Sequence, residues 1–572
     1  MLKGIAASPG IVIGRAFLLE EEEFYISKRT IEPADIKQEI IRFRKALAET
    51  KEEMDGIRQR VLKQLGKRHV RLFDAYLLIL DDPILRNDVI RMVMEQRVNA
   101  EYALQMVIDK ITKTFNIIDD GYLRDRSMDI LDVGKRVLKH LLGRERQELA
   151  SLPSPVIVVA HNLTPADTIA MRKENVIGFA TDIGGRTSHT AIMAQSLEIP
   201  AVVGLKNITK KVTPGDTIIV DGIEGIVIID PDSLTVENYE RQKIKFTDAE
   251  EALKKLTDLP AVTADEHTVE LQANIEVPEE IPSVHAHGAT GIGLFRTEYI
   301  YLNRVDLPSE EEQYQQYVSV ARKMIPYPVV IRTMDLGADR FVGEFGISSE
   351  RNPFMGLRAI RLCFRYPDVF KTQLRAILRA SVEGNLKIMY PMICCVEELR
   401  HANELLEEVK NELREEKNPF NENMEVGVMI ETPSSALIAD ILAREAGFLS
   451  IGTNDLIQYT LAVDRVNENV THLYKPLHLS ILRLVKRVID AGHKEGKRVG
   501  MCGEMAADPS FTKILLGMGL DEFSMSPLSI PKIKKIIRST NLTRARELAN
   551  EVLATREQEE VSKIIERFEA LP

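Results

Sequence analysis

Phe448-Leu-Ser-Ile-Gly-Thr453-Asn454-Asp455 is a short apolar run that stops at a glycine and then turns polar. A run of this length bounded by a turn signal reads as a buried strand. Seven other segments are strand candidates: Val269–Ile275, Gly291–Thr297, Pro328–Met334, Leu386–Met392, Glu425–Glu431, Arg498–Cys502 and Glu522–Ser526. Helical patterns separate most of them. Eight strand–helix units in one block predict a (β/α)8 barrel over 261–572. An open doubly wound sheet is the alternative, because closure is not written in the pattern.

In such a barrel the chemistry sits at the C-terminal ends of the strands. Those ends read Phe295-Arg296-Thr297-Glu298, Ile331-Arg332-Thr333-Met334-Asp335, Met429-Ile430-Glu431-Thr432, Gly452-Thr453-Asn454-Asp455-Leu456 and Met501-Cys502-Gly503-Glu504, with Arg358 and Arg465 following nearby. Arginines clamp phosphate and carboxylate oxygens bidentately. Two carboxylates plus substrate oxygens suit Mg²⁺. A thiol at the mouth can donate a proton. The implied ligand is small, doubly anionic and phosphorylated. Any one Arg or Glu at a strand end is more often a surface ion pair, and Glu298 and Glu504 are open to that reading. A whole ring of such ends is harder to obtain by chance. Cys363, Cys394 and Cys395 read as packing residues.

Upstream, short apolar strands recur at Val156–Ala160, Asn175–Thr181, Ala201–Gly204, Thr217–Asp221 and Gly225–Ile229. They predict a small α/β domain over 146–231, to which the strand-like residues 1–20 return. Between lies 21–145, where Ile36, Ile40, Phe43, Leu47, Met54, Ile57, Val61 and Leu65 mark a long amphipathic helix. Further helical patterns follow at 70–80, 83–95, 100–115 and 125–142, giving an all-α insert. Residues 232–260 are highly charged and read as a solvated connecting helix.

Within the α/β domain one loop stands out: Asp182-Ile-Gly-Gly-Arg-Thr-Ser-His189-Thr190. Two glycines turn the chain and Thr187 or Ser188 can cap the helix that follows. His189 then lies at a helix start, where free N–H groups and the dipole favour a phosphate.

The net charge of −11 argues against a general nucleic-acid binder. No apolar run reaches the ~18 residues of a membrane span, and the N-terminus lacks a signal-peptide pattern. The four cysteines have neither disulfide-framework nor zinc spacing, so a reducing cytoplasm is the expected setting.

Taken together, the chain resembles Enzyme I of the bacterial sugar phosphotransferase system, a phosphoenolpyruvate–protein phosphotransferase. The resemblance rests on Gly184-Gly-Arg-Thr-Ser-His189-Thr, Arg332-Thr-Met-Asp335, Glu431-Thr-Pro433, the long run from Ile451 to Arg465, Met501-Cys-Gly-Glu504 and Gly517 to Ser526. It covers essentially the whole chain. It implies a multidomain α/β protein: a swivelling phosphohistidine domain (1–20 and 146–231), an inserted helical subdomain that docks the carrier protein HPr (21–145), a linker (232–260), and a barrel that binds phosphoenolpyruvate and forms a homodimer (261–572). It further implies Mg²⁺ on Glu431 and Asp455. Arg296, Arg332, Asn454, Asp455, Arg465 and Arg358 would bind the substrate. His189 would take the phosphoryl group with support from Thr168, and Cys502 would protonate the enolate to give pyruvate. Phospho-His189 would then serve a histidine of HPr, the first step of sugar uptake.

Three positions depart from the family pattern. Ala338 and Arg340 stand in Asp335-Leu-Gly-Ala338-Asp-Arg340 where relatives carry Gly and Lys, and Tyr76 stands where relatives often have His. Pyruvate phosphate dikinase and phosphoenolpyruvate synthase share the histidine and barrel, but they need a large nucleotide-binding domain before the histidine domain. The remaining alternatives are a paralogue serving a nitrogen-type regulatory carrier and a non-catalytic sensor of phosphoenolpyruvate or carrier.

Overall fold

The computed structural model describes residues 1–19, 26–64, 67–117, 121–143, 154–163, 175–185, 190–191, 194, 199–301, 306–337, 350, 352–465, 467 and 469–570. The chain divides into two compact units, Met1–Glu250 and Glu251–Pro572.

In the first unit, strands β1 (Leu2–Lys3), β2 (Ile5–Ser8), β3 (Ile11–Leu19), β4 (Val156–Ala160), β5 (Val176–Thr181), β6 (Ala201–Val203), β7 (Thr217–Asp221) and β8 (Ile226–Ile229) form one sheet. Its order is β1-β8-β7-β3-β4-β5-β6-β2. The N-terminal residues thus supply both edge strands and a central one, with β3 parallel to β4 and antiparallel to β7. Side chains alternate across the sheet. Val156, Val158 and Ala160 pack into one core, while Ile157 and Val159 pack into another on the opposite face.

Helices α1 (Ile36–Gln64), α2 (Lys67–Asp81), α3 (Pro83–Gln96), α4 (Ala100–Ile117) and α5 (Gly121–Leu142) follow β3 in sequence. They enclose a core that includes Phe43, Met54, Phe73, Val89, Leu104 and Val137. The start of α3 is fixed chemically: Asp82 accepts the Ile84 N–H at 2.7 Å and Pro83 occupies the first turn. Tyr76 belongs to this core. It is 2% exposed, its ring meets Phe73 edge-on, and its hydroxyl bonds Asp132. Position 76 is therefore a core position. Helix α6 (Ser233–Lys254) carries no buried side chain, as its charged sequence implies.

The second unit is a closed barrel of eight parallel strands: β9 (Glu270–Ile275), β10 (Ile292–Arg296), β11 (Val329–Arg332), β12 (Leu386–Tyr390), β13 (Val426–Ile430), β14 (Leu449–Ile451), β15 (Val499–Met501) and β16 (Glu522–Met525). Closure comes from β16 pairing with β9, Phe523 opposite Leu271 and Met525 opposite Ala273. All eight expected strands are present, each one to three residues shorter than its apolar run. The period of two sorts their side chains. Phe295, Ile331, Ile388, Val428 and Ile451 face outward into the large core under the surrounding helices. Leu294, Val330, Met389, Met429 and Cys502 form a separate small cluster inside. Among the described residues no helix is long and apolar enough to cross a membrane.

Candidate active site in the barrel mouth

The same parity places the polar residues. Arg296 is two positions beyond Leu294, Arg332 two beyond Val330, and Glu431 two beyond Met429. Each therefore continues the inward face to the C-terminal rim, above the apolar plug. Cys502 closes the plug at the end of β15.

Arg332 is the centre of the arrangement. Its guanidinium pairs with Glu298 Oε1 at 3.0 Å and Asp335 Oδ2 at 2.9 Å, with the sulfur of Met429 at 3.8 Å. Its Nε is buried without a partner. The backbone beneath is braced: Thr297 donates its hydroxyl to the Arg332 carbonyl, and Gln373 ties Thr297 to the Met334 N–H. Arg358 pairs with the other oxygen of Asp335 at 2.9 Å. It also lies 3.9 Å from Asp455, 3.2 Å from the Tyr459 hydroxyl and over the ring of Phe354. Asp335 is thus a carboxylate shared by two guanidinium groups.

Glu431 is 1% exposed and accepts the Met392 N–H at 2.6 Å. Gly452 is what leaves room for it: a Cβ there would stand 2.9 Å from the Glu431 carboxylate. Asp455 projects from the first turn of the helix Thr453–Leu461. Oxygens of Asp335, Glu431 and Asp455 lie within 4.8 Å of one another. An all-oxygen set of this kind suits a hard divalent cation.

The electrostatics follow from burial and charge count. Burial pushes the Glu431 carboxyl well up, and the neighbouring Asp335 and Asp455 push it further, against Arg332 and Arg358. Burial also raises Glu298, opposed by Arg332. For Asp335 burial acts upward too, but two guanidinium partners outweigh it and the carboxyl is held low. Both arginines are held firmly charged: burial works against them, and the surrounding carboxylates prevail.

Cys502 is buried. Its thiol points toward the Ile451 carbonyl and accepts a bond from the Ser450 hydroxyl at 3.4 Å. Burial raises its pKa to about 11 despite that bond and despite Arg332. At neutral pH it keeps its proton, the state a proton donor needs. Its carbonyl is held by Asn274, which is fixed in turn by Ser524.

Arg296 reaches Glu276 at 3.0 Å. Asn454 and Glu504 exchange two hydrogen bonds, 2.9 and 3.2 Å long, and Arg465 lies 3.6 Å from Glu504. The barrel thus brings its expected site residues to one rim. His189 and Thr168, with Ala338 and Arg340, lie outside the described residues. Two members of the site were not singled out from sequence. Asp335 lies beyond the end of β11, and Glu298, open to being a surface pair, is buried against Arg332. Glu504 does behave as a surface pair. Cys363 packs in the core as expected, whereas Cys394 and Cys395 are half-exposed on the loop leaving β12.

Comparison with known proteins places these features in context. Residues 250–542 match the family described as PEP-utilising enzyme, PEP-binding domain; residues 3–126 match its N-terminal family and 152–225 its mobile domain. A phosphoenolpyruvate-protein phosphotransferase of Priestia megaterium is 47% identical over 564 residues, covering 99% of this chain and 98% of its own. Proteins of the same name from Staphylococcus carnosus (46% over 567 residues, 99% of each chain) and Listeria innocua (47% over 569 residues, 100% of this chain and 99% of its own) are similarly related. With this identity over nearly the full length of each chain, the protein belongs to the phosphoenolpyruvate-protein phosphotransferase family of PEP-utilising enzymes.

Proposed function

We propose that the barrel mouth binds phosphoenolpyruvate and that the phosphoryl group passes to His189 and then to a histidine of the carrier protein HPr, releasing pyruvate. This would be the first step of sugar uptake by a phosphotransferase system. The observation that carries the reading is that Arg332 and Arg358 share Asp335, a carboxylate with an oxygen within 4.8 Å of oxygens of Glu431 and Asp455. That combination recognises a small phosphorylated acid together with a divalent cation.

Arg296, Arg332, Arg358, Asn454 and Arg465 clamp the phosphate and carboxylate, fixing phosphorus for in-line attack. Glu431 and Asp455 would hold Mg²⁺, which would supply positive charge to offset the charge of the phosphoryl group in transfer. Neutral His189 attacks through Nε2; the N–P bond forms as the bond from phosphorus to the enol oxygen breaks. The Cys502 thiol gives its proton to the enolate carbon, yielding pyruvate, and is reprotonated from water. Thr168 hydrogen-bonds the phosphohistidine.

In this reading 1–20 and 146–231 form the phosphohistidine domain, and 21–145 is the HPr-docking subdomain. Residues 232–260 are the linker between it and the barrel domain, 261–572, which also mediates a homodimer. The enzyme works in the cytoplasm, beside its soluble substrate and carrier. A coupled assay tests the reaction: with HPr and Mg²⁺, pyruvate should form in a one-to-one ratio with phosphorylated HPr. Pyruvate formed without phospho-HPr would contradict it.

A further inference from the structure

Asp335 belongs to two constellations at once. One of its oxygens pairs with Arg332 and the other with Arg358, both at 2.9 Å. The same carboxylate group falls within the 4.8 Å cluster of Glu431 and Asp455. A carboxylate that only braced two arginines would not need to face two further acids, where like charges repel. The charge count sharpens this. Four carboxyl groups (Glu298, Asp335, Glu431, Asp455) crowd around two guanidinium groups (Arg332, Arg358), and a cation between them would relieve their mutual repulsion. Arg332 also keeps a buried Nε with no partner, so its hydrogen-bonding capacity is not exhausted by Glu298 and Asp335.

We infer that Asp335 is a third oxygen ligand for the cation, occupied by Arg332 and Arg358 until the cation arrives, and that its transfer frees both arginines for an anionic substrate. This rests on the reading of the mouth as the substrate and cation site. It gives a physical order to binding. Before the cation, Asp335 sits on the arginines as an internal carboxylate and competes with substrate oxygens. With the cation bound, the same oxygens are drawn toward the stronger charge, and both guanidinium groups lose their Asp335 partner while Arg332 keeps Glu298. Cation and substrate then bind cooperatively with no movement of the strands, because the coupling is carried by one side chain.

The test is Mn²⁺ binding to the full-length protein without substrate, followed by electron paramagnetic resonance or calorimetry. Asp335→Asn should weaken Mn²⁺ by about 10-fold or more. Arg358→Gln should tighten it by removing a competitor for Asp335, and that tightening should vanish in the Asp335→Asn, Arg358→Gln double variant. Unchanged Mn²⁺ affinity in Asp335→Asn, or an equal tightening in the double variant, would overturn the inference. If Asp335→Asn does not fold, the single Arg358→Gln variant still decides, since unchanged or weaker Mn²⁺ binding there contradicts it. Failure of phosphoenolpyruvate to label the protein, with this Mn²⁺ pattern intact, would sink the substrate reading and leave Asp335 as a cation ligand.

Discussion

Met392 donates its backbone N–H to Glu431 Oε1 across 2.6 Å, from a residue whose own φ is +59°. A non-glycine residue in that region is strained by roughly 1–3 kcal/mol. The strained residue aims an N–H at a carboxylate whose pKa is pushed up by burial and two acidic neighbours. The barrel therefore builds one of its proposed cation ligands with backbone as well as side chains.

Glu431→Ala should reduce autophosphorylation by phosphoenolpyruvate by roughly 100-fold or more. Phosphoryl transfer from phospho-HPr back to His189 should survive, because it does not use the barrel mouth. Rapid-quench labelling in the two directions separates these. Loss of both would mean that Glu431 serves the fold and not the site.

Cys502→Ala should uncouple the two halves of the reaction. Phosphoryl transfer to His189 remains, while pyruvate formation slows by about 100-fold, the lower range for a general acid. Because the thiol titrates at about 11, the wild-type rate should show no loss from its deprotonation between pH 6 and 9. Unchanged pyruvate formation in the variant would remove Cys502 from the proton step.

Glu522 lies at the opposite end of the barrel interior, bonded to Gln272 at 2.9 Å. Burial, then Glu270, raises its pKa to about 7, with Lys387 and Arg498 opposing. The folded-state value exceeds the unfolded one. Stability is therefore full below about pH 4.5 and declines as pH rises through about 7. Glu522→Gln removes that decline. Its melting temperature should exceed that of the wild type at pH 8.5 by about 2–4 °C for each kcal/mol recovered. At pH 5.5 the advantage should shrink. An equal difference at both pH values would exclude ionisation of Glu522 as the cause.

Tyr76→Phe should lower the stability of the helical insert by about 1 kcal/mol through loss of the bond to Asp132. The KM for HPr should stay unchanged, because the ring is buried. A shift in KM with stability unaltered would contradict a purely structural role for Tyr76.

The barrel was legible because its eight apolar runs end in polar residues at a regular rhythm. The same parity that buries Leu294, Val330 and Met429 inside the barrel carries Arg296, Arg332 and Glu431 to its rim. Asp335 and Glu298 were not legible as site members. Both lie beyond a strand end, where the period of two no longer dictates direction, and only the fold shows that they converge on Arg332. Tyr76 shows a second limit of the sequence. A helix presents a core stripe and a solvent stripe, and an amphipathic tyrosine fits either until its neighbours Phe73 and Asp132 are in place.

The most direct measurement is labelling with ³²P-phosphoenolpyruvate and Mg²⁺. The expected result is acid-labile, base-stable label on the wild-type protein, removed by adding unlabelled HPr and absent in His189→Ala. Substrate binding without label transfer, or label that persists in His189→Ala, would contradict it.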